Sequence, residues 1–363
     1  MKSITSTFLL LTLIGCSPAV LVTIVNETDI PRVDETVSVL LPRRLKGRNL
    51  SIKNSRGEQI PCQSIIEKNG EESILFQVTI DADGCEEYSV KHGKIEEYPF
   101  KAYSRHVPER MDDYAFENNV IAGRIYGPAL KDPRTLGQDI WLKCTERLII
   151  DDWFQKGDYH HNYGEGMDCY KVGNSLGGGA CAPVVDSHIV VGDNWTTQER
   201  LMNGPIRTAA IFTHPEFEAG NAIIKTARTF ELDANTRMVH WTSTFQSTAD
   251  SVEVVLGAVL HDVVSLSHGS NFIAFTEKAS DSRHPEQDGN ISIGLVLDPG
   301  YDAKFKILDN HACLAFSVKS GDTIHYWTAS GWSQGGVESH ESWASYMESQ
   351  ATILSNPLRI KVK

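Results

Sequence analysis

Ile223-Ile224-Lys225-Thr226-Ala227-Arg228-Thr229-Phe230-Glu231-Leu232 is followed by Asp233-Ala234-Asn235 and then by Met238-Val239-His240-Trp241-Thr242-Ser243-Thr244-Phe245-Gln246. Two runs rich in β-branched and aromatic residues, joined through turn-forming Asp and Asn, predict consecutive antiparallel strands. The pattern continues outward through Pro205 to Thr213, Val252 to Leu260, Ile291 to Leu297, Ala312 to Val318 and Thr323 to Trp327, with Asp288-Gly289-Asn290 as another turn. Many strands at short spacing with few helical stretches predict an all-β protein of packed antiparallel sheets. The one clear helix is terminal: Ser339 supplies its cap, and Trp343, Tyr346, Met347, Gln350, Ala351 and Leu354 follow at three-and-four spacing.

A smaller group of strands lies nearer the amino terminus. Val20 to Asn26, Thr36 to Pro42 and Ser73 to Ile80 are separated by turns at Arg56-Gly57 and Asp81 to Gly84, and the group ends near Tyr98-Pro99. This predicts an N-terminal β-sandwich over residues 16–98 and a larger one over residues 99–363. Arg105 to Gly204 is different, dense in His, Tyr, Trp, Asp and Gly without clean alternation. That texture predicts functional loops laid over the sheets.

Ahead of the first strand stands a targeting signal. Met1-Lys2 is a short positive start, Phe8 to Ile14 an apolar run, and Leu13-Ile14-Gly15-Cys16 has the form of a lipoprotein cleavage site. The run is too short to span a bilayer. The expectation is a signal peptide over residues 1–15, a lipidated Cys16, and a periplasmic or cell-surface lipoprotein anchored to the outer membrane by its lipid alone.

The mature chain of about 350 residues is ample for a sizeable core. Loss of Lys2 takes the formal charge from −13 to −14. Such an acidic surface gives no long-range attraction to nucleic acid, so an anionic ligand must be met by local Arg, Lys or His. Six cysteines remain after Cys16, an even number in an oxidising compartment. Cys62 with Cys85, and Cys169 with Cys181, are the expected disulfides. No CxxC pair occurs and the spacings match no zinc module.

The densest polar cluster is Tyr159-His160-His161-Asn162-Tyr163-Gly164-Glu165-Gly166-Met167-Asp168-Cys169-Tyr170, with two imidazoles, two carboxylates and three phenols in 12 residues. It can supply a general acid and base or ligate a cation, and it also fits a tyrosine-rich surface loop. A second set runs from Glu109-Arg110-Met111-Asp112-Asp113-Tyr114 through Arg124 to Pro128, alternating charge with aromatics as sugar clefts do. Asp112 and Asp113 also fit a helix cap, and Arg124 a structural ion pair. Gly204-Pro205-Ile206-Arg207-Thr208 places Arg207 near the start of a strand, facing either a cleft or solvent. There is no GxSxG elbow, HExxH, phosphate loop or dinucleotide fingerprint.

These blocks, with Tyr326-Trp327 to Trp332 and the helix at Trp343, resemble a family of secreted carbohydrate-active proteins filed as domain of unknown function 4861. Tyr163 stands where many relatives carry a histidine. The resemblance implies a β-sandwich of the mutarotase or lyase kind and a role in degrading polysaccharides, for example of the ulvan type. The activity it implies is dehydration of uronate-ended oligosaccharides, removing water across C4 and C5 of the non-reducing-end uronate. On that reading His160 is the base and Tyr163 or Glu165 the acid. Arg124 and Arg207 grip the substrate carboxylate, with Asp112, Tyr159 and His161 as further substrate contacts. His160, Glu165 and Asp168 are the candidate ligands for one divalent metal ion. The alternatives are a non-catalytic sugar-binding lipoprotein and a sugar epimerase or mutarotase.

Overall fold

A computed structural model describes residues 19–363 apart from 48, 68 and 95. The signal peptide and Cys16 lie outside the described residues. Strand accounts for 51% of the described residues and helix for 9%, so the mainly β expectation holds.

The N-terminal sandwich packs two antiparallel sheets. One orders Arg359–Val362, Val20–Val25, Cys85–His92, Leu50–Lys53 and Gln59–Ile60; the other orders Arg32–Leu40, Glu72–Ile80 and Cys62–Ile66. Alternate residues of the facing strands, among them Val22, Ile24, Ile52, Phe76 and Val90, close a core of their own. The carboxyl-terminal strand Arg359–Val362 returns to this sandwich and pairs with Val22 to Val25.

The larger sandwich is built on a long sheet in the order Thr197–Met202, Arg207–Thr213, Ala222–Asp233, Met238–Ser247, Thr323–Trp332, Asn290–Leu297, Phe272–Lys278 and Val263–His268. Phe230, Trp241, Tyr326 and Leu295 on one face meet Leu256 and Leu314 of a second sheet, whose central strands are Ser251–Val259 and His311–Lys319. Each such fully buried side chain contributes about 1.5–3 kcal/mol.

The other face is partly covered by the last of the α-helices among the described residues, which in chain order are α1 (Ile150–Lys156), α2 (Pro285–Asp288) and α3 (His340–Ser355). α3 begins in a capping box at the expected Ser339. Its Trp343, Met347 and Ala351 are buried against the sheet. Gly294 makes this possible, since a Cβ there would collide with the Met347 side chain. No helix among the described residues is long and apolar enough to cross a membrane.

Two expectations are corrected. The segment from Arg105 to Gly204 is not loop throughout, for it contains most of a third sheet in the order Gly166–Asp168, Asp139–Lys143, Ala122–Ile125, Asp113–Asn118 and Ala102–Val107. Three of its strands, Asp113–Asn118, Ala122–Ile125 and Asp139–Lys143, are buried along their whole length, and burial on both faces erases the alternation that marks a half-exposed strand. The disulfides are also absent, since all six cysteines among the described residues are free thiols. Cys62 pairs with Phe76 in one sheet of the N-terminal sandwich while Cys85 pairs with Val25 in the other. Cys169 follows the short strand Gly166–Asp168, whereas Cys181 pairs with Leu256 in a different sheet.

Candidate functional site

Arg124 stands at the centre of the third sheet, on a strand flanked by the two that carry Asp113 and Asp139. Its Nη2 lies 2.6 Å from Asp139 Oδ2 and 3.0 Å from Asp168 Oδ2, and its Nε 3.4 Å from Asp113 Oδ2. Nη1 donates to the Tyr159 hydroxyl at 3.1 Å. The guanidinium also sits over the rings of Tyr126, Trp141 and Tyr159. Burial drives the carboxyls of Asp113, Asp139 and Asp168 above the ordinary carboxylate range, and the attraction of Arg124 offsets only part of that. With 2% exposure Arg124 cannot grip a ligand. It is a buried structural cation, which corrects its expected role as a substrate contact.

What Arg124 organises lies directly above it. A short helix, α1 (Ile150–Lys156), ends at Gly157 in the left-handed conformation and releases the loop that carries the dense polar cluster. Tyr159 stacks on Trp141, and its carbonyl accepts from Asp168 N at 2.8 Å. His160 is thereby brought alongside Asp168. Its Nδ1 is 2.9 Å from the Asp168 main-chain oxygen and 3.6 Å from the carboxylate. The Asn162 side chain accepts from Gly164 N and Gly166 N, which closes the loop. Gly166 adopts φ +123°, and a Cβ there would collide with the Leu142 carbonyl.

His160 and His161 line a cavity of about 400 Å³ together with Asn162, Arg283, His284 and Gln334. The His161 and His284 rings are 6.4 Å apart. Arg283 pairs with Asp158 at 2.8 Å in an exposed contact, and the Tyr163 hydroxyl donates to the same aspartate at 3.2 Å. That hydrogen bond holds the Tyr163 phenol above its ordinary pKa, so it keeps its proton. A smaller recess beside the cavity is shared by His161, Tyr159, Tyr163, Trp153, Lys156 and Glu165.

The other expected site residues are each engaged by other groups. Glu165 is clamped by Arg147 at 2.9 and 3.1 Å, and these bonds hold its carboxyl below the ordinary range, which removes it as a proton donor. Asp112 sits in a turn 3.4 Å from His106 Nε2. Arg207 lines a different cavity, where Asp233 and Glu231 engage it. As metal ligands, His160, Glu165 and Asp168 do not fit, because each carboxylate is held by its own guanidinium and they do not converge on one point. Among the described residues no group of three His, Cys, Asp or Glu could hold a metal ion. Arg283 and His284 went unnoticed in the sequence because they lie more than a hundred residues from His160. Their only local signal is an Arg-His pair in the turn-rich stretch Asp281-Ser282-Arg283-His284-Pro285.

The chain is 26% identical over 380 residues to "Uncharacterized protein P7" of Formosa agariphila, covering 94% of this chain and 93% of that one. Two solved structures from Enterococcus faecalis are similar at 9% identity: a protein in the glycosyl hydrolase family 38, with a TM-score of 0.53, and an alpha-mannosidase, with 0.51. Each alignment covers 95% of this chain but only 47% and 46% of those proteins, so the chain spans about half their length, and the likeness is one of fold. The profile of the family described as "Domain of unknown function (DUF4861)" matches residues 24–360, and the chain belongs to that family.

Proposed function

We propose that this protein is a hydro-lyase acting on uronate-ended oligosaccharides, with the cavity around His160 as its active site. One observation carries the reading. Nδ1 of His160 is committed to the Asp168 carbonyl, an acceptor that requires the proton on Nδ1 and so leaves the Nε2 lone pair for a substrate proton. Nε2 makes no hydrogen bond among the described residues. Family membership and a fold shared with carbohydrate-active proteins support a saccharide substrate.

The chemistry is an elimination. The C5 hydrogen of a uronate becomes acidic only when the neighbouring carboxylate is neutralised. Arg283 supplies that charge in place of Arg124 and Arg207. Its pair with Asp158 is exposed, and exposed pairs are worth about 0–1 kcal/mol, so exchange for a substrate carboxylate costs little. His160 Nε2 takes the C5 proton, the C–H electrons form the C4–C5 double bond, and the C4–O bond breaks. Tyr163 gives its phenolic proton to the departing hydroxyl, which leaves as water. His161 and His284 frame the sugar ring.

Incubation of the protein with saturated glucuronate- or iduronate-ended oligosaccharides tests this. The expected result is a mass loss of one water together with new ultraviolet absorbance from the conjugated uronate. Epimerised or unchanged products would sink the assignment. We also propose a cell-surface or periplasmic location through acylated Cys16, and Cys16→Ser should release the protein from membranes.

A further inference from the structure

A larger cavity, of about 640 Å³, opens between the N-terminal sandwich, the long sheet and α3, and shares no residue with the recess at His160. From this cavity we infer that the protein carries a second saccharide site, and that its ligand is a neutral pyranose chain rather than a uronate. The inference stands apart from the hydro-lyase assignment.

The floor is the outer face of the long sheet. Arg207 is opposite Asp233, Glu231 is opposite His240, and His240 is opposite Trp327, so these side chains stand on one face. They are joined in a chain of contacts. Arg207 Nε and Nη2 grip Asp233 at 2.5 and 2.9 Å, its Nη1 is 3.1 Å from Glu231 Oε2, and the same oxygen is 3.2 Å from His240 Nδ1. The His240 ring stacks on Trp327 with centroids 4.7 Å apart, and its Nε2 meets His325 Nδ1 at 3.2 Å.

The walls are braced across the opening, so the cavity is formed before any ligand arrives. Buried Arg32 donates to Asn356 O at 2.6 Å and pairs with Glu35 at 2.9 Å, tying the end of α3 to the N-terminal sandwich. Gln77 donates to Ala234 O at 2.7 Å and accepts from Asn235 Nδ2 at 2.9 Å, tying that sandwich to the sheet. A rigid, preformed cavity spares the ordering cost of binding.

The lining selects the ligand. Its volume falls in the range of about 300–1,000 Å³ usual for small-ligand sites. Trp327 and Tyr346 offer aromatic surface for the C–H face of a pyranose. Of the charged side chains on the lining, two are guanidinium and four carboxylate. Arg207 is already met by two carboxylates and Arg32 by Glu35, so an anionic sugar would find no unengaged cation and an excess of negative charge. Neutral hydroxyls instead donate to carboxylate oxygens, in the strong charge-assisted class of hydrogen bond.

Calorimetric titration of the full protein with cellotetraose, xylotetraose and mannotetraose tests the inference. At least one should bind saturably. Ser349→Trp, which fills the cavity from α3, should weaken it tenfold or more while melting is unchanged, and His160→Ala should bind as the parent does. Should Ser349→Trp fail to fold, Glu231→Gln replaces it, with the same tenfold weakening expected. No binding of any tetrasaccharide, binding unchanged in a folded Ser349→Trp or Glu231→Gln variant, loss in His160→Ala, or binding of spermidine in place of all three sugars would overturn it.

Discussion

The Nδ1 of His160 sits 2.9 Å from the main-chain oxygen of Asp168, and the carboxylate of that same aspartate is held 3.0 Å from Arg124. A main-chain carbonyl can only accept, so this contact selects one tautomer of the imidazole. Arg124, fixed by Asp139 and Asp113 as well, makes the support beneath it rigid. The exposed histidine is thus aimed by groups that never touch solvent, the arrangement a proton-transfer residue needs.

His160→Ala should therefore lower turnover by about 10²–10⁴-fold, the usual worth of a positioned base. The side chain is 53% exposed, so melting should stay within the scatter of a surface substitution. Turnover and thermal unfolding measured on the same preparation separate the readings. A folded variant with full activity would exclude His160 from the chemistry.

Arg283→Ala should act on substrate capture. Loss of one charge-assisted contact to the uronate carboxylate is worth about 1.5–3 kcal/mol, or roughly 10–100-fold in kcat/KM. Arg283→Lys should recover part of this for charged substrates, and neither change should alter melting, because the Asp158 pair is exposed. Equal kinetics for parent and Arg283→Ala would return the carboxylate to another cation.

Asp139→Asn tests the buried cluster. Burial, and the Asp168 carboxylate beside it, hold the Asp139 carboxyl above its unfolded value. A raised carboxyl contributes stability that is fully present at low pH and is lost as pH rises through its folded pKa. The parent protein should therefore lose urea resistance from about pH 4 upward through neutrality. Asparagine keeps an oxygen for Arg124 but cannot ionise, so the variant should show a flatter slope across pH 5–8. Parallel slopes would show that Asp139 is not the group titrating.

How much of this could be read from the chain follows from burial. The strands Ala222–Asp233 and Met238–Ser247, and the capped helix at Ser339, stood out because the turns between strands and the helical spacing are local signals. The sheet through Arg124 did not, since two-sided burial of Asp113, Glu117, Arg124 and Asp139 makes strands read as charged loop. His160 and His161 were legible as a dense cluster, and Tyr163 with them. Arg283 and His284 were not, because proximity across 123 residues is set by the long sheet and leaves no mark in spacing.

Lys143→Met should be the most damaging single change near the site. Lys143 Nζ, fully buried, bonds Glu117 Oε2 at 3.0 Å, Asn118 O at 2.7 Å and Arg147 O at 2.8 Å, which uses all three of its donors. Glu117 in turn accepts from the amides of Ile149 and Ile150, at the very start of α1. The pair therefore fixes the helix from which the His160 loop departs. Removing the lysine leaves a carboxylate buried without its cation, at a cost of about 3–5 kcal/mol. Burial already raises the Glu117 carboxyl, and without Lys143 it rises further. A carboxyl raised in the folded state loses its stabilising contribution as pH climbs, so the deficit should be larger at pH 8 than at pH 5. Adding Glu117→Gln keeps an acceptor for the two amides and removes the charge, and this double variant should recover at least half of the loss. Urea unfolding of both variants at the two pH values checks each step. A deficit that does not change with pH, or a double variant no better than the single, would mean that lost packing around the lysine stem, and not the stranded carboxylate, sets the damage.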